Sequence, residues 1–250
     1  MNLFLVTSAL DTQYSLFSFE ERIQQTIATV ESIRKYAPGS TIVLVEGGRP
    51  LTDNLKNRLT EYFNHIFDYT DTDAIKMSQS ASQYAVDNVG HSIKTPCEAF
   101  MLMNTTKQIP VEKFNRIFKI SGRYVLTEKF NLADHINARG KYVFLPKAPV
   151  GEKSIVDEVT NTVVNNKSST DFSDYCYETT LYSFCGSILP IAVQNFEIMF
   201  NNIIKLYSSE SYIDIETAMY LTVDHTLVEE VSPIGIAGQL GMAQGLSIDK

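Results

Sequence analysis

The first 130 residues alternate between short apolar runs and longer segments with apolar residues at helical spacing. The runs "LFLVTSA", "TIVLVEGG" and "HIFDYT" have the length and continuous hydrophobicity of strands that are covered on both faces. Between the first two runs, apolar residues recur every three to four positions from Ile23 to Ile33, and "LTDNLKNRLTEYF" is a second amphipathic segment. This order of strands and helices predicts a mostly parallel, doubly wound α/β sheet.

Capping signals mark the starts of two helices. Ser18 followed by Glu21 has the spacing of a capping box, in which each side chain satisfies the other residue's backbone amide. The segment "TPCEAFMLMNTTKQ" repeats this signal, with Thr95 as the cap and Glu98 as its partner. We therefore predict a helix after Ser18 and another after Thr95, and the capping role explains Glu98 without a function.

The C-terminal half has a less regular pattern. "KYVFLP" and the alternating "YETTLYSFCGSILP" predict strands, the latter antiparallel, while "IAVQNFEIMFNNIIKLY" and "SYIDIETAMYLTVD" predict helices. The stretches 70–94 and 153–175 show no strong period and predict irregular segments. Because no linker divides the chain, we predict one domain over residues 1–250, with a Rossmann-like half at 1–130 and an α+β half at 131–250.

The charge and cysteine content narrow the class of protein. The chain carries 21 basic and 29 acidic residues, a formal net charge of -8, whereas a nucleic-acid or anionic-membrane surface normally appears as a basic excess. The three cysteines form no CxxC pair, which favours reduced thiols and a cytoplasmic location. The apolar start "MNLFLVTSAL" is too short to span a bilayer and predicts the first strand instead.

Two features that suggest cofactor or metal chemistry have simpler interpretations. The tail contains glycines at 235, 238, 241 and 245, but it lacks the GxGxxG spacing of a dinucleotide-binding turn, so we interpret it as a mobile tail or lid. His225 has no second histidine or cysteine at ligand spacing, which favours a surface or locally bonded histidine.

The segment Asp71-Thr72-Asp73 is the one candidate for a divalent metal. Two carboxylates that lie two residues apart in an extended segment can share a hard cation such as Mg²⁺. The same residues after a strand are also ordinary turn formers, so a structural role remains the alternative.

The segment "RIFKISGRYVL" combines a buried strand with charged residues at its end. Gly122 permits the close approach of a backbone or a ligand, and Arg123 carries the planar donors that grip a phosphate in a bidentate manner. Lys119 adds a charge to the same strand, and Tyr124 can stack on a base or sugar or donate a hydrogen bond. The alternative is a structural pair between Arg123 and a carboxylate such as Glu128.

In this order of elements, and in "FKISGRY" above all, the chain resembles a group of GT-A-type nucleotide-sugar glycosyltransferases from bacterial surface-polysaccharide clusters and viral genomes. Members of that group carry a K-x-[ST]-G-R-Y strand where better-known relatives carry their DxD motif. The resemblance covers most of the chain in order, but only "KISGRY" is specific. It implies a GT-A-like fold and polysaccharide biosynthesis.

The resemblance also implies where substrates bind. The donor would lie across the carboxyl ends of the parallel strands, where open α/β sheets bind ligands. The residues expected at the nucleoside are Thr7, Ser8, Glu46 and Gly47. Those expected at the diphosphate or donor sugar are Lys119, Ser121, Gly122, Arg123 and Tyr124. The acceptor side would include Glu178, Tyr182 and Gly186.

For the chemistry, the resemblance implies a carboxylate in "DIETAMY" near the acceptor. Glu216, or else Asp214, would deprotonate an acceptor hydroxyl if the reaction inverts the sugar. The competing interpretation is that Ser211 and Asp214 cap a helix and that Glu216 is solvated. Since "SGRY" offers no paired carboxylates, either cationic side chains replace the metal as stabiliser of the leaving group, or Mn²⁺ or Mg²⁺ binds through Asp71 and Asp73.

The function expected from the resemblance is transfer of a sugar from a nucleotide-diphosphate donor to a glycan hydroxyl, with no cofactor beyond the donor. The alternative is a carbohydrate- or nucleotide-binding protein on the same fold that has lost catalysis. A nucleotidyltransferase is a third hypothesis, but "TSALDTQYS" lacks the glycine-rich signature which that class requires.

Overall fold

The structure is a computed structural model. It describes residues 1–11, 17–76, 94–110, 113–150, 172–208, 213–239 and 247–249. Most of the two stretches predicted to be irregular, together with Ser211, Gly241 and Gly245, lies outside the described residues.

The described residues form twelve strands in three sheets. The strands are β1 (Asn2–Ser8), β2 (Thr41–Glu46), β3 (His65–Asp68), β4 (Arg116–Ser121), β5 (Tyr124–Leu126), β6 (Tyr142–Phe144), β7 (Ala148–Pro149), β8 (Tyr175–Cys176), β9 (Leu181–Cys185), β10 (Val228–Glu230), β11 (Ile236–Gln239) and β12 (Ser247–Asp249). Seven of them make the central sheet in the order β10-β6-β9-β4-β1-β2-β3. β4, β1, β2 and β3 are mutually parallel, and β9 runs antiparallel between β4 and β6, which confirms both predictions of strand direction.

Six α-helices lie in the described part of the chain. They are α1 (Phe19–Tyr36), α2 (Asp53–Leu59), α3 (Lys94–Lys107), α4 (Leu132–Asn137), α5 (Leu189–Ser208) and α6 (Ile215–Thr222). The predicted capping box begins α1, since the Ser18 hydroxyl accepts from the Glu21 amide and the Glu21 carboxylate accepts from the Ser18 amide. Among these helices, none is both long and apolar enough to cross a membrane.

Alternate residues of each central strand pack into two separate cores. In β1, Leu3 and Leu5 face a core shared with α3 and α5, whereas Phe4 and Val6 face a core shared with α1 and α2. Phe4 stacks on Phe118 of β4 with ring centroids 4.3 Å apart. Helices therefore cover both faces of the sheet, and the sheet is doubly wound as predicted.

The prediction of one continuous strand over "RIFKISGRYVL" is wrong. β4 ends at Ser121, and β5 belongs to a separate three-stranded sheet with β11 and β12. Between them, the amide of Gly122 donates to the carbonyl of Thr7 at 2.8 Å, which ties the turn to the end of β1. The charged residue Arg123 therefore lies in a connection between two sheets.

The tail predicted to be mobile instead supplies β11, which pairs antiparallel with β5. Gly235 has a φ of +77°, in the left-handed region that favours glycine. At Gly238, an added Cβ would lie 2.6 Å from the Arg123 carbonyl oxygen and from the Tyr124 ring. Gly238 is therefore needed for close packing of the tail against the turn after β4, and Gly235 for its backbone conformation and its close contact with Phe130.

Candidate active site

The carboxyl ends of β1, β2 and β4 meet at one edge of the central sheet. The strand register places Thr7 beside Ser121 and Ser8 beside Glu46. The structure thus brings together the residues that the sequence placed at the donor, because parallel neighbouring strands end at the same edge.

Glu46 holds two loops of this edge together. Its Oε1 atom accepts hydrogen bonds from the amides of Leu10 at 2.9 Å and Gly48 at 2.8 Å, so the loop after β1 is tied to the loop after β2. Burial raises the pKa of this fully buried carboxyl to about 7, against the effect of its hydrogen bonds. Gly47 is buried as well, against the side chain of Met101. Glu46 and Gly47 therefore support the loops at this edge of the sheet from their buried side.

Arg22 is a functional candidate that the sequence reasoning missed. It lies in the first turn of α1, is 6% exposed, and donates from Nη1 to the carbonyl oxygen of Ala9 at 3.1 Å. Burial and, to a smaller extent, the nearby positive charge of Arg123 together lower its pKa to about 10, while Glu46 opposes the shift. A charged residue on the buried face of the helix was the available signal, since it sits one position before Ile23 of the apolar face.

Gly122 allows the turn after β4 to pass close to α1. The Thr26 hydroxyl donates to the Gly122 carbonyl at 3.0 Å, and an added Cβ would lie only 3.0 Å from that hydroxyl oxygen and 3.3 Å from Val6. Arg123 follows directly and is half-buried. Its guanidinium carbon lies 5.8 Å from the centroid of the Tyr124 ring.

Tyr124 is 3% exposed, which leaves little of its ring for stacking on a base or sugar. Its hydroxyl interacts with Thr180, and the carboxylates of Glu178 and Glu216 are close enough to favour the protonated phenol. Burial is the largest of the causes that raise its pKa. Tyr124 therefore faces the residues predicted for the acceptor side, and its hydroxyl is the part that can contact them.

The expectation that Lys119 binds the diphosphate is corrected. Lys119 is 1% exposed, and Nζ lies 2.5 Å from Glu98 Oε1, 2.9 Å from Ser121 Oγ and 2.7 Å from the Thr179 carbonyl oxygen. Two of the three ammonium donors are used by Ser121 and Thr179, and the charge is paired with Glu98. Lys119 therefore stabilises the framework of the site.

The capping role predicted for Glu98 is also wrong. α3 begins at Lys94, so Thr95 lies inside the first turn, and the Glu98 carboxylate points to Lys119 instead of back to a cap. The sequence favoured the local interaction because the partner charge lies 21 positions further along the chain. The Glu98–Lys119 ion pair joins α3 to β4.

Glu216 is connected to this ion pair through Thr179. The Thr179 hydroxyl donates to Glu216 Oε1 at 2.8 Å, while the carbonyl of the same residue accepts from Lys119. Loss of hydration on burial and, to a smaller extent, the charges of Asp214 and Glu98 together raise the pKa of Glu216 to about 7, although the Thr179 hydrogen bond opposes the rise. Such a carboxylate can accept a proton near neutral pH.

The remaining candidates have structural roles. Asp214 caps α6, because Oδ1 accepts from the Thr217 amide at 2.7 Å. The Glu178 carboxylate accepts from the Thr180 amide and hydroxyl in a tight local turn near Tyr124. The predicted cap at Asp214 is thus confirmed, and its charge acts on Glu216 from the start of the same helix.

Two residues predicted for the acceptor side do not lie there. Tyr182 is fully buried in the core, with its ring 5.1 Å from that of Phe144. Gly186 follows β9, which runs antiparallel to β4, so it lies at the opposite edge of the sheet. An added Cβ at Gly186 would lie 1.8 Å from the carbonyl oxygen of Phe114, which explains the glycine by packing.

The residues proposed for a metal do not form a site for one. Asp71 is strongly exposed and pairs with Lys76 at 2.5 Å. Over the described ranges, no group of three or more histidine, cysteine, aspartate or glutamate side chains is arranged to hold an ion. Among the described residues, no such set of ligands is therefore available, and no chemical step is assigned to a metal.

Comparison with known proteins shows the fold. No protein-family model matches the chain, and no curated protein sequence matches it. The mannosyltransferase Ktr4p from S. cerevisiae is 10% identical, with 94% of this chain and 69% of that one covered and a TM-score of 0.58. The core-mannan synthase CmsA/Ktr4 from Aspergillus fumigatus, in a Mn/GDP form, is 8% identical, with 94% and 73% covered and a TM-score of 0.54. The galactosyltransferase LgtC, in complex with donor and acceptor sugar analogues, is 6% identical, with 91% and 72% covered and a TM-score of 0.50.

These similarities define the class of fold. The mainly parallel central sheet with helices on both faces is the GT-A glycosyltransferase fold. At this level of identity the likeness extends to the fold and no further, so the activity has to be argued from the site itself.

Proposed function

We propose that this protein is a glycosyltransferase that transfers a sugar from a nucleotide-diphosphate donor to a hydroxyl group of a glycan. The observation that carries the proposal is Glu216, a carboxylate with a pKa of about 7 that is held by Thr179 beside the end of β4. Further support comes from the fold, which is that of solved mannosyltransferase and galactosyltransferase structures.

Arg123 and Arg22 provide the charge that a diphosphate requires. The two guanidinium groups are close enough for one to lower the pKa of the other, and an anion bound at both would relieve that repulsion. Both lie at the carboxyl edge of β1 and β4, beside the Gly122 turn. Arg123, which is half-buried, is the one placed to contact the donor, and Arg22 supports it from α1.

In a single displacement, Glu216 would accept the proton of the acceptor hydroxyl. The oxygen of that hydroxyl then bonds to the anomeric carbon while the bond from that carbon to the diphosphate oxygen breaks. The nucleoside diphosphate leaves with the electron pair, and Arg123 stabilises its negative charge. The pKa of a general base should lie near the working pH, as that of Glu216 does.

The proposal is tested by calorimetric titration with UDP, GDP and their hexose derivatives, followed by assay of nucleoside diphosphate release with methyl glycosides as acceptors. We expect binding of at least one nucleotide and turnover that Glu216→Gln lowers by about 10²–10⁴-fold. The absence of binding to every nucleotide would contradict the proposal. Binding without release, unchanged by Glu216→Gln, would support the non-catalytic alternative instead.

A further inference from the structure

A cluster of aromatic side chains lies next to the candidate base and has no part in the site described above. It consists of Tyr175, Tyr177, Tyr220 and His225. The ring of Tyr220 lies at the centre, with centroids 4.5 Å from His225, 5.2 Å from Tyr177 and 6.1 Å from Tyr175. His225 is exposed and hydrogen-bonded, as the sequence predicts for a surface or locally bonded histidine, and the structure adds that it belongs to this aromatic cluster.

The cluster has a rigid base and an exposed upper side. Tyr177 is 2% exposed and stacks on Phe144 of the central sheet, with centroids 4.5 Å apart and ring planes within 12°. Tyr175 is 41% exposed, His225 is exposed, and Tyr220 is half-buried. Contiguous exposed apolar surface of this kind indicates a binding site more often than chance exposure does.

The aromatic cluster is directly connected to Glu216. The Tyr177 amide donates to the Glu216 carbonyl at 3.3 Å, and Tyr220 follows Glu216 by four residues on α6, which corresponds to a rise of about 6 Å. From Tyr177 the chain continues through Glu178 to Thr179, the residue that holds the Glu216 carboxylate. The cluster thus lies within one helical turn of the residue that carries the candidate base, on the same helix and on the segment that holds its carboxylate.

Polar groups surround the aromatic rings. The Tyr177 hydroxyl and His225 Nδ1 share a hydrogen bond of 3.1 Å. Glu230 accepts from the Lys147 amide, and the Lys147 ammonium lies 4.7 Å from the centroid of the Tyr175 ring. A few polar groups beside an aromatic floor are typical of small-molecule sites, in which the apolar surface supplies affinity and the polar groups fix orientation.

This combination matches one chemical class of ligand. A pyranose ring presents a face of C–H bonds with partial positive charge and a rim of hydroxyl groups. The face of an aromatic ring carries the negative part of its quadrupole and so attracts such C–H bonds. The exposed rings and the polar groups around them fit the two parts of a sugar.

We infer that Tyr175, Tyr220 and His225 form an acceptor subsite that binds a pyranose ring of the glycan next to the reacting hydroxyl. The inference rests on the proposed function for the role of the bound sugar, but the binding itself does not depend on it. Tyr177 supports the subsite from below.

The test is saturation-transfer NMR, which detects the bound sugar, together with protein-observed NMR of the histidine rings, using methyl β-D-glucopyranoside, methyl β-D-galactopyranoside and methyl α-D-mannopyranoside in the absence of nucleotide. We expect at least one of them to bind, to shift the ring signals of His225, and to lose affinity at least threefold in Tyr175→Leu and Tyr220→Leu. Tyr36→Leu is the matched control. Lys35 Nζ lies 4.7 Å from the centroid of the Tyr36 ring, the same distance as Lys147 Nζ from the centroid of the Tyr175 ring. The Tyr36→Leu variant should bind sugar normally.

Sugar binding that survives both variants, or that leaves the His225 signals in place, would overturn the inference. The inference would also be overturned if UMP or GMP alone shifted the His225 ring signals, because the cluster would then bind nucleobases. If either variant unfolds, the shifts that sugar causes in the His225 ring signals of the wild-type protein still test the inference. Nucleotide binding is measured separately by calorimetry. If nucleotide binds but sugar does not bind at the cluster, only the subsite is wrong. If sugar binds at the cluster but no nucleotide binds, only the proposed function is contradicted.

Discussion

Nζ of Lys119 lies 2.5 Å from Oε1 of Glu98, and this pair joins β4 to α3 directly beneath the candidate active site. The Lys119 side chain is 1% exposed and that of Glu98 is 22% exposed. The ammonium charge of Lys119 is therefore stabilised by Glu98 more than by water. Removing one member of a buried ion pair leaves an uncompensated charge in a medium of low dielectric constant.

Glu98→Gln should therefore lower the free energy of unfolding by about 3 kcal/mol. Urea denaturation at neutral pH measures the change, and the double variant Glu98→Gln/Lys119→Met should recover part of the loss because no buried charge remains. The exposed pair between Lys107 and Glu197, 3.3 Å apart, provides the control, and Glu197→Gln should cost less than about 1 kcal/mol. Equal effects of the two glutamine variants would refute the structural role of Glu98.

The catalytic rate should depend on pH through Glu216. Because its pKa lies at about 7, kcat/KM should rise as the pH increases through 7 and then level off as the carboxylate becomes fully ionised. Thr179→Val removes a hydrogen bond that favours the ionised form, so it should move this rise to higher pH. A pH profile whose midpoint is the same in both proteins would exclude Glu216 as the titrating base.

Stability should also depend on pH through Glu46 and Glu216. The folded-state pKa values of Glu46 and Glu216 lie at about 7, above the ordinary 4.5, so folding favours their protonated forms. Their contribution is fully present below pH 4.5 and is lost as the pH rises through 7. From pH 5 to pH 8 we expect the wild type to lose roughly 1–3 kcal/mol more than Glu216→Gln. Chemical denaturation at both pH values measures this, and parallel curves would contradict it.

Arg123→Ala should weaken donor binding without unfolding the protein. Loss of hydrogen bonds to a charged phosphate costs about 1.5–3 kcal/mol, which is roughly a 10- to 100-fold rise in the Kd for UDP or GDP. Arg49 is the matched control, because it lies on the neighbouring loop and is exposed, 3.7 Å from Asp11. Calorimetry should show normal affinity in Arg49→Ala. A lowered melting temperature with unchanged affinity in Arg123→Ala would assign the arginine a structural role.

The contact between the C-terminal tail and the β4 turn can be tested at Gly238. Gly238→Ala places a Cβ 2.6 Å from the Arg123 carbonyl oxygen, so β11 should separate from β5 and both stability and donor affinity should fall. Gly140→Ala meets no atom within 4 Å and should cost only the strain of its φ of +69°, about 1–2 kcal/mol. Thermal unfolding and titration with UDP or GDP are compared between the two variants. If Gly238→Ala loses no more stability or affinity than Gly140→Ala, position 238 tolerates a side chain and the packing role is contradicted.

Much of the fold could be predicted because local pattern and local structure agree in the N-terminal half. The continuous apolar runs became β1, β2 and β3, and the box at Ser18 and Glu21 began α1. Strands with apolar residues on both faces require helices on both faces, so the doubly wound sheet follows from hydrophobicity alone. The gathering of Thr7, Glu46 and Ser121 at one edge follows from parallel strand direction.

The sequence by itself thus determined the strands and helices of the N-terminal half, since these depend on neighbours within a few residues. Only the tertiary structure decided the partners of the charged residues. Lys119 binds Glu98 and Thr179, Arg22 approaches Arg123, and the glycine tail pairs with β5. Each of these contacts joins residues that are far apart along the chain, and the energy of a buried charge is set by whichever groups surround it in space.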